Sequence, residues 1–499
     1  MRRRALLTAI AAGSAGLAGC SALRGSDGGD APTETNGSTE TPTATATETP
    51  AATATSTPTD DEWRTAVAYE TGPRTVAFGR VGWRDDGVTG ALEFDRTATA
   101  DHPARLTGRL ENTNDYETTV RVRDHPILRG AEARVDAFDL SASLYAVPTE
   151  PNALTTATPT LRRGSDGYWR VTERGSWTRD TVRLAPGERT SLAYALAVGP
   201  ETEGFPTGTY DFVGGEDGHS VQVWNTERPG PTGESRFAGR SVPSLGEGPT
   251  GWYHDADATT KAFLRPSTER LELDGLAEFE FVNHSRSALQ CGHWNLHKLV
   301  DGEWFHVAPR IHFSVCRGVG PGGRKRWPLR AFNGAAVPCG CDRSGTGCDD
   351  GLTRGYLGGG TYAAVVGYGY PEGDSAALVE LVGDQIEVVP TADATVERDG
   401  DAAVVTTGRY GDGEDPPDAT LVLEPAESAE RRLIAEQVMA GPRPMARGQA
   451  LRDALAPVSA GATRVTVRTD ADAVEVALGY EEGPRRFRFR GAAYEVRRG

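Results

Sequence analysis

The sequence predicts a mainly β protein, with two antiparallel β-sandwich modules followed by a small α+β domain. After Trp63, short runs alternate apolar and polar residues, as in Glu278 to Val282, and Gly, Pro, Asn or Asp separates the runs. A set of turn and strand motifs also occurs twice in the same order. Beyond residue 388, two segments change to helical spacing. A chain of 499 residues is long enough for roughly two to four such units.

The N-terminal segment has the pattern of an export signal. Three arginines at residues 2–4 precede an apolar run from Ala5 to Leu17, which is much shorter than the roughly 20 residues that span a bilayer. The run ends Leu17-Ala18-Gly19-Cys20, which resembles the lipobox of exported lipoproteins, and Arg3-Arg4 resembles a twin-arginine signal. We therefore predict a signal peptide over residues 1–19, export by the twin-arginine route and lipidation of Cys20.

The lipid on Cys20 predicts where the protein is found. Each buried methylene contributes about 0.8 kcal/mol, so a two-chain lipid anchors a protein stably without a spanning helix. We expect the protein to be attached to the outer face of the cell membrane, with all later residues outside the cell.

The charge of the chain excludes one class of partner and indicates a habitat. A net charge of -17 and a pI near 5.1 disfavour nucleic acid as a partner. Of the 53 basic residues, only Lys261, Lys298 and Lys325 are lysines. Together with the excess of acidic residues, this composition resembles that of proteins from salt-loving archaea, whose acidic surfaces stay soluble in high salt.

We predict that residues 20–61 form an extended stalk. The segment consists mostly of Thr, Pro, Ala, Glu, Ser and Gly, and it cannot bury enough apolar surface to fold. Its threonines suit O-glycosylation, although an unmodified linker explains the composition equally well. Asn36 lies in a sequon for N-glycosylation, and Asn283 lies in another.

The repeated motifs indicate two related modules. Each copy has a strand that ends in an Asn turn, then a Pro-Gly turn followed by Arg, then a strand that starts Gly-Thr-Tyr: Asn112, Pro186-Gly187 and Gly208-Thr209-Tyr210, followed by Asn283, Pro321-Gly322 and Gly360-Thr361-Tyr362. This order resembles immunoglobulin-like domains of prokaryotic surface proteins, including the fold of the bacterial proteinase inhibitor type. The resemblance implies sandwiches over residues 62–225 and 251–387, and the Pro- and Gly-rich segment 226–250 between them is predicted to be a linker.

Residues 388–499 predict a small α+β domain, for which no family is indicated. Ala426 to Met439 and Gly448 to Leu455 have helical spacing, and Ser428, Arg432 and Glu436 are expected along one polar stripe of the first helix. Strands are predicted near Thr463 to Val467 and Arg486 to Phe489.

One region concentrates residues that could carry chemistry, whereas common catalytic signatures are absent from the sequence. Five of the six cysteines lie within it, together with four histidines: Cys291, Cys316, Cys339, Cys341, Cys348, His293, His297, His306 and His312. Between its first strands, Asp301-Gly302 predicts a tight hairpin that pairs His297 with His306 and Lys298 with Phe305. On one strand, His293 and His297 would be about 13 Å apart, so the hairpin alone cannot supply four ligands to one Zn²⁺.

Three fates are open to these cysteines. Outside the cell, disulfides are favoured among Cys291, Cys316, Cys339, Cys341 and Cys348, with one thiol left over. The alternative is a zinc site built from members of this set: Cys291, His293, His297, His306, Cys339, Cys341 and Cys348. Reduced, buried cysteines are the third possibility.

These observations favour a non-enzymatic surface lipoprotein without a cofactor. It would bind a partner, a cell-envelope protein or a glycan, or serve an envelope-structural role. A metal-binding or redox protein that uses the Cys/His cluster is the first alternative, with zinc as its cofactor. A hydrolase with an unrecognised site is the second.

Overall fold

The computed structural model describes 14 segments of the chain, 65–78, 82–125, 127–129, 132–134, 142–212, 220–246, 248–290, 292–309, 318–337, 352–367, 373–413, 416–439, 449–479 and 483–499. Residues 61–499 group as one compact unit. Several predictions lie outside the described residues: the signal peptide, Cys20, the stalk with Asn36, His312 and the five other cysteines. No helix in the described segments is long and apolar enough to cross a membrane.

The first group of strands forms a 12-stranded sheet and a two-stranded sheet around one core. Buried and less buried residues alternate along these strands, as in residues 88–94. There, Val88, Leu92 and Phe94 point into the core, and the residues between them include the less buried Thr89 and Glu93. The strands are β1 Ala66–Ala68, β2 Arg74–Phe78, β3 Gly82–Asp85, β4 Val88–Arg96, β5 Ala104–Asn112, β6 Thr118–Val120, β7 Glu132–Arg134, β8 Ser143–Pro148, β9 Leu161–Arg163, β10 Trp169–Val171, β11 Val182–Leu184, β12 Arg189–Val198, β13 Gly208–Phe212 and β14 Ser220–Asn225.

The order within the large sheet is β1-β2-β14-β13-β7-β8-β12-β5-β4-β3, and β9 and β10 join it through β12. Its pairs are antiparallel apart from β10 with β12. Side chains from distant members of the sheet, such as Phe78 of β2 and Phe94 of β4, touch in the same core, with ring centroids 5.7 Å apart. The sheet therefore bends around its core, and β6 and β11 add a separate two-stranded sheet.

The second group of strands builds a sandwich-like pair of sheets that also share one core. One sheet has the order β15-β24-β23-β19-β20 with β17 beside β24, and the other has the order β16-β18-β21-β22. The strands are β15 Thr250–Trp252, β16 Ala262–Pro266, β17 Arg270–Glu272, β18 Gly275–Asn283, β19 Trp294–Val300, β20 Glu303–Ala308, β21 Arg324–Ala331, β22 Leu352–Arg354, β23 Gly360–Val366 and β24 Asp374–Val382. Trp294, Phe305 and Trp327 are buried in this core.

The segment 226–250 connects the two groups of strands, but it is not a free linker. Phe237, Val242 and Leu245 pack with apolar side chains of β23 and β24 on the face that points away from the sandwich core. The indole Nε1 of Trp304 donates a hydrogen bond to Pro243 O at 2.9 Å. The abundant Pro and Gly indicated an irregular path, and the few apolar residues among them hold that path against the sheet.

The motif repeat predicted from sequence has a structural counterpart in two buried asparagines. Asn112 Nδ2 donates to the carbonyls of Tyr116, Leu184 and Ala185 at 2.8–3.1 Å. In the second module, Asn283 Nδ2 donates to Ser287, Val319 and Gly320 at 2.9–3.0 Å. Both asparagines are 0% exposed. Each ties the end of one strand to the Pro-Gly turn before another, so the shared motif reflects shared packing.

The tyrosines of the repeat are also equivalent. Tyr210 Oη donates to Pro206 O, and Tyr362 Oη donates to Gly358 O, each over four residues and at 2.8 Å. Both side chains are fully buried. In each module, the hydrogen bond fixes the loop that leads into the strand that starts Gly-Thr-Tyr.

The last group of residues forms a seven-stranded sheet with the order β25-β26-β29-β27-β31-β30-β28 and three helices that share its core. The strands are β25 Thr395–Asp399, β26 Ala402–Thr406, β27 Asp418–Pro425, β28 Arg432–Leu433, β29 Arg464–Asp470, β30 Arg485–Phe489 and β31 Ala492–Arg498, and the helices are α1 Ala435–Met439, α2 Ala450–Ser459 and α3 Ala471–Leu478. The Asp470 carboxylate caps α3 by accepting from Ala473 N at 2.8 Å. The prediction of a mainly β protein is confirmed.

The helix predicted over Ala426 to Met439 is wrong in its first part. Residues 426–431 lie outside any helix, Arg432 and Leu433 pair with β30 as β28, and only Ala435–Met439 is helical. The strand pairing and the contacts of this segment with the second sandwich override its helical spacing. The second predicted helix is confirmed as α2, which ends four residues later than expected, at Ser459.

Candidate functional site

The histidine pair predicted from the Asp301-Gly302 turn is present. β19 and β20 pair His297 with His306, Lys298 with Phe305 and Val300 with Glu303, as the turn predicts. Asp301 and Gly302 have φ of 51° and 83°, which a two-residue hairpin of this kind requires. Beyond His297 the register shifts at a bulge, so Leu296 faces Ala308. The regular pairing therefore does not extend toward Cys291.

The two histidine rings touch in an edge-to-face contact, with centroids 5.1 Å apart. Burial, together with the neighbouring His306, lowers the pKa of His297 to about 4, so its ring is neutral at pH 7. His297 Nδ1 is buried and has no hydrogen-bond partner in the described part of the protein. His306 Nε2 lies 3.1 Å from Asn295 Oδ1.

The other members of the predicted cluster are not brought together by the described residues. His293 precedes β19, and its carbonyl accepts from Gly367 N at 3.3 Å. The described segments contain no group of three or more His, Cys, Asp or Glu that could hold a metal ion. The cysteines lie outside those segments, so the disulfide and zinc hypotheses both stay predictions.

Asn283 has a structural role that argues against a glycan on it. The side-chain nitrogen to which a glycan would be attached donates three hydrogen bonds to backbone carbonyls. The residue is also 0% exposed. A glycan there would require the end of β18 to open.

Beside the histidine pair, the β28–α1 segment packs onto the β19–β20 hairpin. Ile434 contributes to the core of the second sandwich, and Gln437 Nε2 donates to His306 O at 3.0 Å. Arg432 pairs with Asp301 at the hairpin turn, and its guanidinium lies 5.3 Å from the ring centroid of Phe305. Apolar, polar and ionic contacts therefore join the last sheet to the second sandwich at this point.

A buried ion pair lies at the centre of this contact. Lys298 Nζ donates to the Glu436 carboxylate, and both side chains are almost fully buried. The same carboxylate oxygen lies 3.3 Å from Gly358 N. The pKa of Tyr362 is raised by burial and, secondarily, by the Glu436 charge. Glu436 is therefore an interior residue, and the prediction that it lies on a polar stripe is wrong.

A signal for Lys298 was present in the sequence. The residue shares the period-two alternation of Trp294 and Leu296, both of which point into the core, and it is one of three lysines in the chain. A lysine at a core position requires a buried anion. The partner carboxylate was not predictable from the sequence, because Glu436 is 138 residues away.

A cavity of ≈ 340 Å³ opens next to this contact. Its walls come from β20, from the β28–α1 segment, from α2 and α3, and from β30 and β31. The side chains that line it comprise four arginines, one histidine, one glutamine and several apolar residues: His306, Val307, Arg431, Leu433, Gln437, Val438, Leu451, Arg452, Val476, Ala477, Arg485, Arg486, Phe487 and Val496. Its size is within the range of small-molecule sites, which are common at interfaces between domains.

The fold and this site define a mainly β protein with sandwich-like sheets and a cavity beside its last sheet. No family model matches the chain, and no curated protein matches it. A β-glucosidase from Listeria innocua in complex with gluconolactone aligns at 14% identity over 25% of this chain and 16% of its own, with a TM-score of 0.15. A polysaccharide lyase aligns at 9% identity over 64% of this chain and 36% of its own, with a TM-score of 0.14.

Red sea bream transglutaminase aligns at 10% identity over 60% of this chain and 32% of its own, also with a TM-score of 0.14. This chain thus spans 36% or less of the length of each of these three proteins. Scores this low establish neither a shared fold nor a shared activity.

Proposed function

We propose that this protein is a lipid-anchored binding protein of the outer cell surface and has no catalytic role. The observation that carries the binding role is the cavity between the second sandwich and the last sheet. Its walls come from elements far apart in the chain, held together by the buried Lys298–Glu436 pair. A preformed cavity of this size between packed elements is typical of small-molecule sites.

We also propose that the first and second groups of strands are immunoglobulin-like modules. The support for this proposal is the equivalence of Tyr210 and Tyr362, because immunoglobulin-like sandwiches have a tyrosine whose hydroxyl bonds to the backbone a few residues upstream. The equivalence of Asn112 and Asn283 adds to that support. Modules of this kind on a stalk would hold the cavity away from the membrane.

The membrane anchor rests on the lipobox at Leu17 to Cys20. We expect Cys20→Ser to move the protein from the membrane fraction to the medium, or to leave it unprocessed, because serine cannot form the thioether to the lipid. The measurement is fractionation of cells, followed by the mass of the product. Cys291→Ser is the matched control and should stay in the membrane fraction. A Cys20→Ser protein of mature size that still needs detergent for release would contradict the anchor.

A further inference from the structure

The cavity beside the last sheet has an unusual charge for this protein. Acidic residues outnumber basic ones by 70 to 53 in the chain, but the described residues that line the cavity include four arginines and no carboxylate. Four arginines around one cavity are unexpected in a protein of net charge -17, so their grouping indicates a role for positive charge there.

The protein's own carboxylates neutralise only part of this charge. Arg486 Nε pairs with Glu495 at 2.7 Å. Arg452 is buried, and its guanidinium donates to neutral oxygens, namely Val389 O, Pro390 O and Gln449 Oε1. Arg431 is exposed and forms no salt bridge with any residue that the structure describes. Among the residues that the structure describes, Arg431 and Arg452 therefore leave a net positive charge at the cavity.

Arg485 is held in place at the cavity wall. Its Nη1 donates to Ala477 O at 2.9 Å, in the last turn of α3. A helix ends in carbonyl oxygens that carry partial negative charge, so this bond orients the guanidinium. Arginine's planar fork matches the oxygens of a carboxylate or a phosphate, and a fixed fork loses less entropy when it binds one.

Apart from His306 and Gln437, the remaining wall is apolar. Leu433, Val438, Leu451, Val476 and Phe487 come from β28, α1, α2, α3 and β30 and form a surface next to the arginines. A surface of this kind favours a ligand with an apolar body over a bare inorganic ion.

We propose that the cavity binds a small organic anion, with a carboxylate or phosphate group on the arginines and an apolar body against the side chains of β28, α3 and β30. This inference rests on the proposed binding function and adds the chemical class of the ligand. Arg431 holds the charged group beside Arg485, and Leu433, Val476 and Phe487 contact the body.

The test measures binding to the full chain in detergent by isothermal titration calorimetry, with benzoate, phenyl phosphate, benzyl alcohol and inorganic phosphate as probes. We expect one or both aromatic anions to bind at least about tenfold more tightly than benzyl alcohol and inorganic phosphate. Raising the salt concentration should weaken the binding of the anions and leave the binding of benzyl alcohol unchanged. The stronger of the two aromatic anions identifies the preferred group.

Variants locate the site. Arg431→Gln should lower the affinity for the aromatic anions by about tenfold or more and leave the affinity for benzyl alcohol unchanged. Val476→Trp, at an exposed position on the cavity wall, should block all aromatic probes. Arg488→Gln is the matched control, since Arg488 is exposed on the same strand as Arg485 but does not line the cavity. Thermal unfolding of each variant checks that it is folded.

The binding results distinguish the ligand class from the binding role of the cavity. Equal binding of benzyl alcohol and benzoate, blocked by Val476→Trp, would overturn the anion class and leave the binding function standing. Anion binding that Arg431→Gln leaves unchanged would overturn this site. Failure of every probe to bind would count against both the inference and the cavity as the carrier of the proposed function.

Discussion

At the scale of single residues, Asn112 and Asn283 show how one polar side chain can organise a module. Each is fully buried and donates to three backbone carbonyls. The Asn283 Oδ1 also accepts from Ser285 N at 3.0 Å and from the Ser285 hydroxyl. Such a side chain replaces the backbone partners that a strand loses where it ends.

We expect Asn283→Ala to lower the free energy of unfolding by about 2–4 kcal/mol, because it leaves buried carbonyls without donors. Chemical denaturation of the full chain measures the change. The neighbouring exposed Ser287 provides the control, since Ser287→Ala should change the free energy by less than about 0.5 kcal/mol. If the two substitutions had equal effects, the role assigned to Asn283 would be refuted.

At the scale of secondary-structure elements, the β28–α1 segment determines how the last sheet meets the second sandwich. Ile434 enters the core of the sandwich, and Glu436 two residues later receives the Lys298 ammonium. A buried ion pair whose charges lose their hydration needs both partners. The pair therefore makes this contact specific as well as stable.

A double-mutant cycle tests this pair. Lys298→Met or Glu436→Gln alone should cost about 3–5 kcal/mol, because each leaves one buried charge uncompensated. The double variant should be more stable than either single variant, since both charges are then gone and the glutamine can still accept from Gly358 N. Denaturation curves provide the four free energies, and additive losses would contradict the coupling.

A surface pair serves as the reference for that cycle. Arg270 and Glu272 are 3.1 Å apart, with side chains 50% and 70% exposed. Exposed pairs contribute less than about 1 kcal/mol, so Glu272→Gln should have a small effect.

The same elements show what the sequence could and could not predict. The β19–β20 register follows from Asp301-Gly302, because a two-residue turn fixes the pairing on both sides of it. Residues 426–431 have helical spacing but do not form a helix, because the strand pairing of β28 and the docking of Ile434 depend on distant partners. The cavity was not predictable for the same reason, since its walls come from elements far apart in the chain.

At the scale of the whole molecule, the first and second groups of strands meet in a close contact. The rings of Trp224 and His284 stack, with centroids 5.6 Å apart and planes within 6°. Gly322 lies against the same tryptophan, and a Cβ on it would be 2.8 Å from Trp224 Cζ3. His284 Nδ1 is also hydrogen-bonded to Pro229 O, in the segment between the modules. One histidine therefore touches both modules and their connection.

This contact should respond to pH. Burial is the main reason that the pKa of His284 is lowered from 6.5 to about 4, and the charges of Arg324 and Arg265 act in the same direction. Between these values the unfolded chain binds a proton that the folded protein excludes. The contribution of His284 to stability is therefore complete above pH 6.5 and is lost as the pH falls to about 4.

Between pH 6.5 and pH 4, the His284→Gln variant should lose less of its free energy of unfolding than the natural protein does. We expect the difference to be about 3 kcal/mol at most. Denaturation at a series of pH values measures the slope of this loss with pH. The difference between the variant and the natural protein above pH 7 reports packing alone, which separates it from titration. Identical slopes would show that protonation of His284 does not govern this junction.

The burial of Lys298 has a consequence for the chemical reactivity of the protein. Besides the terminal amine, the chain has three primary amines, and Lys261 is exposed, Lys325 is half-buried and Lys298 is buried. An acylating reagent can reach Lys298 only when the last sheet separates from the second sandwich. The acylation rate of Lys298, relative to that of Lys261, therefore measures how often that interface opens.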